Sequence, residues 1–231
     1  MEAVVFLCLL SCASGFTPIS LPRRSTTSQR DMLSLDTAKT VSVLAGTAIL
    51  SGYHVRLGRN EKKGFSSWRT AQADTRVEWS AYVRSTEGWL YAIQTLRNAI
   101  TANTFLATTV LSLLTVISGK LWELVRSGNS GNKLLLQFAS VALLMLKSAY
   151  EFLQSARLMT HAGFMFPVSA GNKVDNIMRK SQMAQWSGLR WLYVSLGAII
   201  WTIGGEFAFL GSSVALVIFF RCIDRVPRGI E

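Results

Sequence analysis

The stretch Asn98–Gly119, NAITANTFLATTVLSLLTVISG, decides the fold class, because its twenty-two residues carry no charge. As a helix it would be about 33 Å long, enough to cross the hydrocarbon core of a bilayer. The chain as a whole has a matching composition, with 50% hydrophobic and only 16% charged residues. A soluble domain usually carries about 25% charged residues. We therefore expect an all-α integral membrane protein.

Three further apolar stretches extend this expectation to a four-helix bundle. The last of them contains one charge, Glu206, and as a single helix it would be about 45 Å long, which exceeds the ~30 Å hydrocarbon core. This span is therefore expected to be long and tilted, or broken near Gly204-Gly205. The four expected spans lie near residues 37–55, 98–119, 134–154 and 191–220.

The first thirty residues have the composition of targeting segments. Residues 1–15 combine a short apolar run with small residues, which is typical of a secretory signal peptide, and residues 16–30 are basic, hydroxylated and free of acid, like a transit peptide. The junction ASGFTP, 13–18, resembles the motif that routes proteins into the plastid (chloroplast) of a secondary-plastid alga. The expected location is a plastid membrane, with an endomembrane or the plasma membrane as the alternative. Residues 31–231 are expected to form a single transmembrane domain.

The net charge of +11 is concentrated on one side of the expected bundle. Residues 56–97 and 157–190 hold thirteen Lys and Arg, whereas the other side, counted from Asp31, holds seven. The positive-inside rule places the two richer segments in the cytosol-equivalent compartment, which is the stroma in a plastid. Because the basic residues are spread along juxtamembrane segments, nucleic acid is not an expected partner.

A series of short motifs runs along the chain: Tyr53-His54, Arg76-x-x-Trp79, residues 93–98 (IQTLRN), residues 107–109 (ATT), residues 155–157 (SAR), residues 161–164 (HAGF), and Gly188-Leu189-Arg190 with Tyr193. Together these motifs resemble one uncharacterised membrane-protein family, domain of unknown function 599. The resemblance runs from about Asp36 to Asp224 and implies a four-span helical membrane protein with no assigned reaction. One departure is Gly204-Gly205-Glu206, where relatives tend to have Gly-Pro.

Four residues are the candidates for contact with a ligand or lipid: His54, Arg97, His161 and Arg190. The expected topology places all four at the basic side, where imidazole and guanidinium groups would attract an anionic ligand or lipid headgroup. The two histidines could instead hold a haem or a chlorophyll. The simplest alternative is that these side chains only extend to water.

A polar stripe follows one face of the second span and consists of Gln94, Arg97, Asn98, Thr101, Thr104, Thr108, Ser112 and Thr115. It could line a polar pathway, or its hydroxyls could bond to other helices or to their own backbone. Intramembrane charges form a second group. Lys147 and Glu151 stand one turn apart and could neutralise each other, whereas Glu206 either needs a distant cation or lies in a wet break of the last span.

No nucleophile, phosphate loop or metal cluster is recognisable, so neither an enzyme nor a metal site is expected. The favoured function is binding or scaffolding at the basic side, with lipid, pigment or a membrane complex as the ligand. The alternative is a small transporter or channel-like protein that uses the polar stripe. Expected partners are the bilayer, anionic lipid, a second copy of the chain or a membrane complex.

Overall fold

The computed structural model describes residues 26–128, 131–168 and 172–226, and each regular element in these ranges is an α-helix. The expected signal peptide and residues 16–25 lie outside the described residues, and residues 26–30 belong to the first helix. The described helices are α1 (Thr26–Lys62), α2 (Trp68–Ser85), α3 (Trp89–Ser127), α4 (Asn132–Met165) and α5 (Asn172–Ile223). Three of these, α3, α4 and α5, are long and apolar enough to cross a membrane. The expected all-α class is confirmed, and the helices are those of an integral membrane protein.

Helix α5 reverses direction at Gly205. A straight helix of its length would extend for about 78 Å, yet Arg190 in its first half forms an ion pair with Asp224, just beyond its end. The rings of Tyr193 and Phe219 also meet across the two halves, with centroids 5.0 Å apart. Gly205 makes the reversal possible, because its φ of 76° and ψ of −165° lie in a region open essentially to glycine alone.

The hairpin changes the expected architecture. We call residues 172–204 the first arm of α5 and residues 206–223 the second arm. The expected break near Gly204-Gly205 is present. The expected four-helix bundle is wrong, because the described ranges contain five helices and the last of them is folded into two antiparallel arms. Helix α1, which contains the expected first span near residues 37–55, is not among the described helices that are apolar enough to span.

The long helices pack in the order α1, α5, α4, α3, and α2 lies against α5. Glycines allow the closest approaches in this row. A Cβ at Gly46 would lie 3.0 Å from the ring of Phe209, so α1 contacts the second arm closely. A Cβ at Gly188 would lie 2.9 Å from the ring of Phe152, which is fully buried between α4 and the first arm. Packing at this density makes the helix contacts intolerant of added volume.

Helix α2 has a well-defined start. Ser67 is its N-cap and forms a capping box with Thr70, which satisfies two backbone N–H groups at the helix end. The backbone N–H of Trp68 donates to the carbonyl of Asp224, 3.0 Å away. The start of α2 is therefore bonded to the end of α5, and both belong to what we call the basic end of the protein, formed by residues 53–97, 157–168, 172–190 and 221–226.

Candidate functional site

A buried ion pair closes the open end of the α5 hairpin. Arg190 on the first arm donates from Nη2 to Oδ1 of Asp224, and the hydroxyl of Tyr53 on α1 donates to Oδ2 of the same carboxylate. The guanidinium carbon of Arg190 lies 5.3 Å from the ring centroid of Phe220, at cation–π distance. These contacts join α1 and both arms of α5 at one carboxylate. We call Arg190, Asp224 and Tyr53 the clasp.

The clasp leaves hydrogen-bonding capacity unused. Arg190 is 4% exposed, and its Nε and Nη1 atoms have no hydrogen-bond partner among the described residues. Because these donors are enclosed by protein, a ligand could reach them only if the hairpin opened. The described geometry therefore supports a structural role for Arg190 in holding the arms together.

A second ion pair fixes the connection between α1 and α2. Arg69 donates from Nε to Oε1 of Glu61, 2.6 Å away, and from Nη2 to Oε2, while the hydroxyl of Ser67 donates to Oε1 at 2.6 Å. Burial alone would raise the pKa of Glu61, but the bonds from Arg69 and Ser67 outweigh it and hold that pKa below its ordinary value. The carboxylate form of Glu61 therefore stabilises this corner.

A third ion pair fastens the other end of α2 to the first arm of α5. Arg84 donates to both oxygens of Asp175, at 2.7 and 3.0 Å, and the hydroxyl of Ser80 donates to the same carboxylate. Burial opposes ionisation here as well, but the bonds from Arg84 and Ser80 lower the pKa of Asp175 below its ordinary value. Helix α2 is thus held at both ends by bidentate arginine–carboxylate pairs.

The middle of α2 meets α5 through polar contacts that involve no carboxylate. Arg76 donates from Nη2 to Oε1 of Gln185 at 3.0 Å, and its Nη1 lies 3.8 Å from Sδ of Met159 on α4. One turn earlier, Oε1 of Gln72 accepts from Nε2 of Gln182 and from Nε1 of Trp186, both at 3.0 Å. Burial lowers the pKa of Arg76. We call Arg76, Gln72, Gln182, Gln185 and Trp186 the Arg76 crevice.

The four ligand candidates named from the sequence occupy different surroundings. His54 and Arg190 share one neighbour, since the His54 and Phe220 ring centroids lie 5.3 Å apart and Arg190 lies over the same ring. Nδ1 of His54 also lies 2.8 Å from the carbonyl oxygen of Leu50. Arg97 on α3 and His161 on α4 are exposed. The structure therefore brings His54 and Arg190 together, and the role of all four residues in ligand binding stays a prediction.

The polar stripe lies on the outer face of α3. All eight of its residues are exposed, whereas Ala107 and Val110 of the same helix are buried. Hydroxyls of the stripe bond to their own helix, for example Thr101 to the carbonyl of Arg97 at 2.8 Å and Ser112 to that of Thr108 at 2.9 Å. The stripe therefore does not line a pathway among the described helices.

The three charged residues within the expected spans have partners. Lys147 and Glu151 form an ion pair along α4, which neutralises both within one helix. Glu206 follows the reversal of α5 and pairs with Lys133 at the start of α4, at the end of the protein opposite the basic end. Glu206 thus lies beside the turn of the hairpin.

The described residues offer little for metal or nucleophilic chemistry. No group of three or more His, Cys, Asp and Glu side chains within the described ranges could hold a metal ion. Cys222, at the end of the second arm, is a free and exposed thiol. What the basic end does offer is hydrogen-bond donors and positive charge, which suit recognition of an anionic group.

Comparison with sequence families gives the classification. A family model described as protein of unknown function, DUF599, matches residues 41–228. The chain belongs to this family. The match includes the clasp and the Arg76 crevice, so both are part of the DUF599 region. No curated protein and no solved structure matches this DUF599 protein.

Sequence reasoning missed Asp224, Gln72 and Gln182 as members of these clusters. Their partners are distant in the chain, so no local spacing pointed to them. Tyr53 and Arg76 did stand within two of the family motifs, Tyr53-His54 and Arg76-x-x-Trp79. Those motifs were the available signal for both positions.

Proposed function

We propose that this DUF599 protein binds anionic lipid at its basic end and acts as a binding or scaffolding protein, not as an enzyme. The observation that carries the proposal is the charge left after internal pairing. Four arginines of the basic end pair with carboxylates: Arg69, Arg84, Arg179 and Arg190. Ten exposed basic residues there lie in no ion pair within the described ranges: Arg56, Arg59, Lys62, Lys63, Arg97, Arg157, Lys173, Lys180, Arg221 and Arg225.

Aromatic side chains at the same end support contact with headgroups. The rings of Trp79 and Phe166 pack edge to face at 5.9 Å, and Trp89 lies 6.5 Å from Phe166. Tyr82 and Tyr91 are exposed nearby on α2 and α3. Trp and Tyr favour the boundary between hydrocarbon and water, and basic residues at that boundary attract anionic lipid.

Quenching of tryptophan fluorescence by brominated lipids tests this function in bilayers. We expect brominated phosphatidylglycerol to quench the tryptophan fluorescence more strongly than brominated phosphatidylcholine, because the anionic lipid should accumulate at the basic end. The variant K62Q/K63Q should reduce this preference, whereas K120Q/R126Q, which removes two charges from the other end of α3, should leave it unchanged. Equal quenching by the two lipids in the unmodified protein contradicts the proposal.

We also propose a plastid membrane as the location, which rests on the N-terminal thirty residues alone. A fluorescent fusion of the full chain in an alga with secondary plastids tests it. The fusion should reach the plastid, and F16A should leave it in the endoplasmic reticulum, whereas I19A should have no effect. Plastid import of F16A equal to that of the unmodified chain contradicts the assigned motif.

A further inference from the structure

Arg76 differs from the other enclosed arginines of the basic end because it has no acidic partner. Arg69, Arg84 and Arg190 each pair with a carboxylate. Arg76 is half-buried, and within the described ranges it lies in no ion pair. Its contacts are an amide oxygen of Gln185 and the thioether of Met159. An enclosed cation without a counter-charge is unfavourable, so this position suits an anion supplied from outside.

The two acids that flank Arg76 on α2 and Asp175 on the first arm of α5 are either paired with other groups or exposed. Asp74, two residues before Arg76, pairs with Arg179. Glu78, two residues after it, is exposed. Asp175, on the first arm of α5, is bound by Arg84 and Ser80. The described chain therefore supplies Arg76 with polar contacts but not with a negative charge.

The crevice around Arg76 has spare hydrogen-bonding capacity. A guanidinium has five N–H donors, and the named contacts of Arg76 involve only two of its nitrogens. Gln185, which accepts from Arg76, is itself only half-buried. The oxygens of a phosphate group would accept from the remaining N–H donors of Arg76.

The position of Arg76 favours a lipid as the source of this anion. Trp79, one turn along the same face of α2, belongs to the aromatic cluster with Phe166 and Tyr91. Met159, which contacts Arg76, lies near the end of the membrane-length helix α4. The guanidinium therefore lies where an apolar helix meets aromatic side chains, which is the depth of phospholipid phosphate groups.

We infer that the Arg76 crevice is a binding site for the phosphate group of an anionic lipid. This inference rests on the proposed function and adds one specific site to it. One lipid would be bound tightly at this site, in addition to the lipids that the surface charge attracts loosely. The planar guanidinium of Arg76 would bind two phosphate oxygens, and the amide group of the half-buried Gln185 would contact the headgroup.

Native mass spectrometry of the full chain from mild detergent tests the site, with phosphatidylglycerol as the probe. We expect one lipid to remain bound to the unmodified protein. R76Q should weaken this binding about tenfold, as expected for loss of a charge-assisted bidentate contact. R126Q is the control, because it removes one exposed charge from the opposite end of the protein, and it should change the binding less than threefold. R76K keeps the positive charge but loses the planar guanidinium that can bind two oxygens at once. If R76Q does not fold, R76K tests the site instead, and it should bind the lipid more weakly than the unmodified protein.

The outcomes separate the site from the general function. Equal binding of phosphatidylglycerol by R76Q and R126Q overturns the site but leaves the preference for anionic lipid in bilayers intact. If the unmodified protein shows no preference for anionic lipid in bilayers, the proposed function is overturned as well. If inorganic phosphate at millimolar concentration displaces the lipid completely, the site belongs to a free oxyanion, and the assignment to a lipid is wrong.

Discussion

Arg190 and Asp224, which lie 34 residues apart in the chain, form an ion pair whose side chains are only 5% and 7% exposed. This pair holds the two arms of α5 together at the basic end. The other end of the hairpin is held by the chain reversal at Gly205 and by the pair of Glu206 with Lys133. The last apolar stretch is therefore fixed at both ends as a hairpin, and the clasp also attaches α1 through Tyr53.

Removal of the negative charge of the clasp should destabilise the protein strongly. Asp224→Asn leaves the buried guanidinium of Arg190 without a counter-charge, and a loss of about 3 kcal/mol in the free energy of unfolding is expected. Tyr53→Phe removes one hydrogen bond but keeps the pair, so a loss of about 1 kcal/mol is expected. Thermal unfolding in detergent compares them. Equal melting temperatures for the two variants would show that the ion pair contributes little.

Gly205 should be intolerant of any side chain because of its backbone conformation. Nothing lies within 4 Å of a Cβ at this position, so the cost of Gly205→Ala comes from its φ of +76° and not from a clash. We expect a loss of about 1–3 kcal/mol in stability. Gly211→Ala is the control, since Gly211 also has open space but lies within the helical second arm. It should be neutral or stabilising by up to about 1 kcal/mol, and a stable Gly205→Ala protein would contradict the hairpin.

The docking of α2 should weaken in acid. The pKa values of Glu61 and Asp175 are lowered in the folded protein by their arginine partners, so the unfolded state binds protons more readily than the folded state. The stability that these carboxylates contribute is complete above their ordinary pKa values of about 4 and is lost as the pH falls through their lower, folded values. Hydrogen exchange of α2, expressed at each pH relative to the intrinsic rate of an unprotected amide, should therefore accelerate more between pH 7 and pH 3 than that of α4.

Two variants check which groups cause this acid sensitivity. E61Q/D175N should show faster exchange in α2 at neutral pH and little further change on acidification. E123Q is the control, because Glu123 forms an exposed pair with Lys120, and such pairs contribute little. If the double variant keeps the full pH dependence, other groups control the docking of α2.

The polar stripe should contribute little to the stability of a single chain. Ser112 is exposed and bonds to its own helix, whereas Ser148 is buried and donates across helices to the carbonyl of Gly188 at 2.7 Å. Ser112→Ala should change the free energy of unfolding by less than about 0.5 kcal/mol, and Ser148→Ala should cost about 1–2 kcal/mol. Melting temperatures measure the difference. Equal costs would mean that a second copy covers the stripe.

Part of this architecture follows from sequence alone. The uncharged run of α3 and the apolar content of α4 and α5 predict membrane-length helices, because hydrocarbon requires about 20 apolar residues in a helix. Gly204-Gly205 in an overlong apolar stretch predicts a break, and the spacing of Lys147 and Glu151 predicts their pair. The motifs predict the family. Each of these depends on residues close together in the chain.

The direction of the chain after the break, the members of the basic-end clusters and the outward face of the polar stripe were decided only by tertiary structure. A break near Gly205 allows either a tilt or a reversal, and contacts between the two arms, such as Arg190 with Asp224 and Tyr193 with Phe219, distinguish them. Helical periodicity shows that the stripe shares one face, but the packing of α4 on the opposite face of α3 sets its direction. The sequence determined which segments are helical and apolar, because these properties are local. Side chains from distant segments met only when the helices packed, and that packing left Arg76 without a carboxylate.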